Sequence, residues 1–409
     1  MYNLHLSAEQ LEFRDTVRDF VAQEIKPVAL KPERLEPFER PLLTQILERA
    51  SQMGLRTIAL SEDNGGAGAN ILTTCIVTEE LAVGDVDVAA VLAETSTLSH
   101  ILFDRLMTPA QKDRFLPQFL ADDHYHLAFA GHEPSTDTKI GVNYYCASTE
   151  RRITTKAVRA DNGDWIVNGF KDCVLNAPVA KLIVVQVTTD LDRSGRQDMS
   201  TLLVPYDAPG LTVREQNQAT LRCHGVGGEL VFKDCRVPAD NLLSAEGERA
   251  ATLCRGVVER SSPQEQALNL GIGRAAYEAA LEYARLRVQG GRRIIEHQAI
   301  GTKLAEIAIS LEVARNAVWQ AAYAADHPDA IADRSLSDLP LQIIAKVFTS
   351  GAVYRAAKDA SEVFGAMGVM RDMPLQKYVH DALVCLHSGD GNSDAKLRIA
   401  EALAGYRRP

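Results

Sequence analysis

The chain has 409 residues, 46% hydrophobic, 24% charged and 6% aromatic, which suits a globular protein long enough for two or three domains. Its formal net charge of −10 excludes nucleic acid as a main partner, because phosphate binding needs a basic face. Seven cysteines, at 75, 146, 173, 223, 235, 254 and 385, form no CxxC pair and predict reduced thiols. His124 and His126 have no further ligand at metal-binding spacing, so no metal is expected. Met1 to Ser7 shows no leader pattern and no run of 18 apolar residues is present, which predicts a soluble, cytoplasmic protein with no membrane partner.

The first third reads as helix. Ser7-Ala-Glu-Gln10 is a capping-box pattern, and Leu11, Phe13, Val17, Phe20, Val21 and Ile25 recur at helical spacing until Pro27 ends the run. Further helices are predicted over 42–53, 71–84 and 109–121, with the Gly-rich loop Glu62 to Gly68 between two of them. Near residue 127 the period changes. Ile153–Val158 and Trp165–Asn168 read as strands around the turn Asp161-Asn-Gly163. Short strands continue at Ile183–Thr188, Ser200–Pro205, Leu211–Arg214 and Glu229–Phe232. Long amphipathic stretches over 264–287, 298–325, 338–364 and 392–405 then predict a helical bundle. The expected domains are 1–126 helical, 127–242 β and 243–409 helical, an α+β fold.

Near the carboxyl end stands His387-Ser-Gly-Asp390-Gly-Asn392-Ser393. Glycines on both sides let the backbone turn sharply, and Asn392 or Ser393 is suited to cap the following helix. Asp390 at such a turn can reach into a pocket as a base. Three further segments go with this loop: Gly225 to Leu243, ending Leu230-Val-Phe-Lys-Asp-Cys-Arg-Val-Pro238; Arg287-Val-Gln-Gly-Gly291 through Gln298; and Val363-Phe-Gly365-Ala-Met-Gly368, then Pro374 to Ala382. In this order they resemble the acyl-CoA dehydrogenase family over essentially the whole chain.

The resemblance implies a helical domain, a β-barrel-like middle domain and a C-terminal four-helix bundle, with FAD bound between subunits of a homotetramer. It implies dehydrogenation of an acyl-CoA: a carboxylate takes the α-proton while hydride leaves the β-carbon for flavin N5. Electrons would pass on to an electron-transfer flavoprotein or another acceptor. Asp390 takes the base position if one inserted residue is allowed; the aspartate resembles relatives that act on cyclic acyl-CoA substrates. Cofactor contacts are implied for Phe129 and His132, in Phe129-Ala-Gly-His132-Glu133-Pro134, and for Thr138, Arg287, Gln298, Gly365, Gly368 and Asn392. Arg287 suits a pyrophosphate because a guanidinium presents a planar fork of donors.

The chain also departs from the family pattern. His132 replaces a threonine, Cys173 and Leu175 replace a tryptophan and a threonine, Gly290 replaces a phenylalanine, and Glu362 stands where glutamine is common. A second family position for the base falls on Pro263, flanked by Glu259 and Glu265. Two other readings therefore stay open. One is a non-catalytic or half-site subunit of a hetero-oligomer; the other is a flavin enzyme of the same fold with different chemistry.

Overall fold

The structure is a computed structural model, and it describes residues 5–36, 40–133, 153–191, 197–216, 224–244, 248–327, 341–388 and 391–404. The chain opens with α1 (Ala8–Phe20), whose Ser7 and Gln10 form the expected reciprocal capping box. Pro27 does not end the run. A π-helical turn, Val21–Ile25, leads directly into α2 (Lys26–Ala29), with Pro27 in its first turn, where a missing N–H is tolerated. Next come α3 (Thr44–Gln52), α4 (Ile71–Gly84), α5 (Val86–Ser99) and α6 (Pro109–Ala121).

Helix α5 shows no sequence periodicity because nearly all of it is buried, so no polar stripe marks it. Asp85 caps it by accepting from the Asp87 and Val88 amides at 3.0 Å each. The helical stretch Val86–Leu106 is also long and apolar enough to cross a membrane by length and composition, and 83% of its most apolar window is buried inside the protein.

The β-region contains β1 (His126–Ala130), β2 (Lys156–Arg159), β3 (Trp165–Leu175), β4 (Ala180–Leu191), β5 (Gln197–Pro205), β6 (Leu211–Gln216), β7 (Gly227–Val237) and β8 (Leu242–Ser244). They form a mixed sheet in the order β6-β7-β3-β2-β4-β5-β8, with β1 parallel to β4. The expected barrel is not formed. Among the described residues the end strands β6 and β8 do not pair with one another, and the two halves of the sheet meet at a single β2–β4 residue pair, Lys156 with Thr188. Alternation along β4 explains why. Ile183, Val185 and Val187 face Val167, Leu230 and Phe232 across the fold of the sheet, while Leu182 and Val184 pack on Phe103, Phe115 and Phe119 of the helical region. With its second face committed to helices, the sheet bends over itself without closing.

The bundle comprises α7 (Glu248–Leu286), α8 (Gln298–Asp326), α9 (Leu341–Val363), α10 (Leu375–His387) and α11 (Gly391–Leu403). The two-residue strands β9 (Val288–Gln289) and β10 (Arg292–Arg293) form a hairpin between α7 and α8. Helix α7 starts well before the predicted residue 264 and runs through Pro263. The two helical regions share one apolar cluster, in which Leu81 and Val91 join Leu268, Ile272, Leu311 and Val353. Ion pairs join them as well: Arg274 and Arg315 reach the buried Glu79 at 2.9 and 2.8 Å.

Candidate functional site

Three local arrangements collect the functional candidates. The first is at the end of β1. Phe129 is partly buried against the helical cluster, and Gly131 follows where a β-carbon would press on the Phe129 ring and Gln186. The chain then turns outward, so that His132 is 54% exposed in its side chain and its Nδ1 lies 2.5 Å from Asp172 Oδ1. Glu133 turns inward, where it accepts from Lys171 Nζ at 2.7 Å, from Thr154 N and Oγ1 at 2.6 Å each and from Thr155 N at 3.0 Å. Burial alone would raise its pKa, but the Lys171 ammonium and these donors outweigh that and hold it down to about 2. Thr138 lies outside the described residues.

A bulge shapes the neighbouring strand. Between Lys171↔Leu230 and Val174↔Gly228, β3 carries one residue more than β7, and Cys173 adopts φ 49. Lys171 and Val174 point inward, which leaves Asp172 and Cys173 partly exposed together. Ligand atoms of His132, Asp172 and Cys173 all lie within 4.8 Å of one another. Sequence spacing could not show this, because His132 and Asp172 are joined only by the sheet. Leu175 ends β3, and Asn176 beyond it donates its amide to Val91 O and Leu127 O at 3.0 and 3.1 Å, which ties the sheet to α5.

The second arrangement surrounds the loop between α10 and α11. Asp390 lies outside the described residues, but both edges of its loop are placed. Ser388 Oγ donates to Glu265 Oε1 on α7 at 2.8 Å, and Lys346 Nζ donates to Ser388 O at 3.3 Å. Asn392 is engaged with Ser350 on α9, to which its Nδ2 donates at 2.9 Å. Helix α11 begins at Gly391 with φ 73. One turn earlier, Cys385 Sγ lies 3.3 Å from His224 Nε2.

Beneath the loop, Arg40 grips Asp381 with two bonds of 3.1 and 2.8 Å, and Lys377 adds a third at 3.0 Å. Burial opposes the Asp381 charge, but Arg40 and Lys377 outweigh it and hold the carboxyl below the usual carboxylate range. These residues anchor α10 and with it the loop. Arg40 and Asp381 are 341 positions apart, and no local pattern announces the pair.

The third arrangement is a cleft of about 440 Å³ lined by Tyr283, Arg287, Gly290, His297, Glu362 and Gly365, among others. Arg287 and Gly365 thus line the same cleft. Gly365 has φ 59 with open space where a side chain would start, and Gly290, at φ 63, would place a β-carbon in contact with the His297 ring. Glu362 is held by Lys303 at 2.7 Å and Lys358 at 2.9 Å, which keep its pKa down to about 2 and offset its charge. Gln298 does not line this cleft; it lies on an adjoining groove with Thr302, Lys303 and Glu306. Gly368 is buried, and a β-carbon there would collide with the Ser361 carbonyl oxygen, which gives it a packing role.

A helical–β–helical protein with an arginine-bearing cleft and a carboxylate loop between its last helices defines a narrow class. The comparisons agree with that class along the chain. Models described as the acyl-CoA dehydrogenase N-terminal, middle and C-terminal domains match residues 7–123, 147–235 and 264–403. An acyl-CoA dehydrogenase of Bacillus subtilis (strain 168) is 30% identical over 403 residues, covering 98% of this chain and all of its own length. The butyryl-CoA dehydrogenase of Megasphaera elsdenii superposes with a TM-score of 0.82 at 25% identity, over 98% of this chain and 100% of its own. The glutaryl-CoA dehydrogenase of Mycobacterium smegmatis, solved in complex with FADH2, has the same fold with a TM-score of 0.79 at 24% identity, over 99% and 96% of the two chains. The chain belongs to the acyl-CoA dehydrogenase family of oxidoreductases.

Proposed function

We propose that this protein is an FAD-dependent dehydrogenase of an acyl-CoA thioester, with Asp390 as the α-proton base and a cyclic or bulky acyl group as substrate. The observation that carries this reading is the cleft in which Arg287 and Gly365 meet. Its donor chemistry and its two left-handed glycines suit a close-lying pyrophosphate. FAD, when bound, supplies the hydride acceptor at N5. Arg287 would hold its pyrophosphate, and the outward end of β1 at Phe129 and His132 would meet its ring. The chain's own part in the chemistry is to present a carboxylate at the α-carbon and keep water out. Ser388, Lys346 and the Arg40–Asp381 pair hold the end of α10 that precedes Asp390, and a general base works best from a well-positioned support. Electrons would pass on to an electron-transfer flavoprotein or another acceptor.

One observation favours a second assignment of the base. Glu265 is hydrogen-bonded to Ser388, so a second carboxylate stands beside the same loop. Flavin reduction by a panel of acyl-CoA thioesters decides the matter. Asp390→Ala is expected to slow it by about 10²–10⁴-fold, with Glu265→Gln within about tenfold of the parent. The reverse order would move the base to Glu265. No reduction by any thioester, from protein that retains FAD, would favour the half-site subunit or a different flavin reaction.

A further inference from the structure

We propose that His132, Asp172 and Cys173 form a binding site for a divalent zinc-type cation. The His and Cys departures from the family pattern, 41 residues apart, are not scattered losses: the fold brings them together and adds a carboxylate between them. In an unbroken strand Asp172 and Cys173 would point to opposite faces. The extra residue of β3 between Lys171 and Val174, with Cys173 at φ 49, exposes both on the side where His132 emerges from β1. The neighbours that could compete are already engaged, since Glu133 and Lys171 pair with each other inside.

The donor set is an imidazole nitrogen, a carboxylate oxygen and a thiol sulfur, the combination that zinc accepts at about 2.0–2.3 Å in tetrahedral sites. Ligand atoms around such an ion lie roughly 3–4 Å apart. The three atoms here lie within 4.8 Å of one another, and the 2.5 Å His132–Asp172 pair must open slightly to admit the ion between them. His132 is more than half exposed, which gives the ion a path in and leaves a fourth position for water or a substrate atom. Binding would require Cys173 as its thiolate, so uptake of the cation releases the thiol proton.

The test is a calorimetric titration of the full-length protein with Zn²⁺ after treatment with a chelator and desalting. A parallel titration with Co²⁺ is followed by difference absorption. One equivalent per chain is expected, with a sulfur-to-cobalt charge-transfer band and tetrahedral cobalt intensity. Cys173→Ser should remove the charge-transfer band, and His132→Gln should weaken Zn²⁺ binding at least about tenfold. His132→Gln changes an exposed side chain, so it keeps the test decisive if the Cys173 variant folds poorly. No stoichiometric binding, or binding unchanged in both variants, would overturn the proposal. The readout is metal uptake without thioester, so it is scored apart from dehydrogenation, although His132 is shared with the proposed flavin contact.

Discussion

Glu94 shows how far a single residue can be pushed by its surroundings. It is partly buried in α5, and burial raises its carboxyl to about 7. The unfolded chain loses that proton near 4.5, so between about pH 4.5 and 7 the folded state holds the extra proton. Stability therefore falls as pH rises through this window, by up to about 3 kcal/mol. Glu94→Gln should flatten the change, leaving the variant more stable than the parent at pH 8 and nearly equal to it at pH 4.5. Urea midpoints at the two pH values check this; parallel shifts in both proteins would refute it. Glu133 has the opposite sign. Its depressed pKa contributes stability that is present above the unfolded value and lost as pH falls toward about 2. At this scale the sequence shows the residue types but not their partners. Arg287 and Gly365 line one cleft, Gln298 lies on a groove with Thr302 and Lys303, and Asn392 bonds Ser350.

At the scale of elements, two glycines three residues apart do different work. Gly368 is packed so closely on the end of α9 that a β-carbon has no space, whereas Gly365 has open space but a left-handed backbone. Gly368→Ala should cost about 1–3 kcal/mol through overpacking, and Gly365→Ala about 1–2 kcal/mol through backbone strain. Only the Gly365 change, which touches the cleft, should also reduce FAD retention at a temperature where both variants stay folded. Equal retention in the two variants would separate Gly365 from the cofactor. The helices and strands with a clear period were legible: α1 with its capping box, α8 and the turn between β2 and β3 all follow from local pattern. Pro27 was misleading, because a π-turn leads the helix through it, and α7 begins before the expected residue 264.

Across the whole molecule, the exposed apolar residues Leu286, Val288, Val369 and Met370 belong to the segments that border the Arg287 cleft. A second copy of the chain covering them would complete the site, in keeping with a proposed homo-oligomer built as a dimer of dimers; a heteromer with a homologue is the alternative. Sedimentation of the purified protein should give a tetramer carrying close to one FAD per chain. Arg287→Ala should lower the retained flavin after desalting while leaving the circular dichroism unchanged. A flavin-free monomer would count against both the cleft assignment and the assembly. By itself the sequence determined the order of helices, strands and helices and the family, because periodicity, turn chemistry and short motifs are local properties of the chain. Only the tertiary structure decided that the sheet stays open, that Arg40 anchors Asp381, that Glu265 stands beside Ser388, and that His132 meets Asp172 and Cys173. Each of these depends on which faces are covered and on contacts between distant positions. A β-bulge of one residue or a helix laid against a sheet sets them, and neither leaves a mark in local pattern.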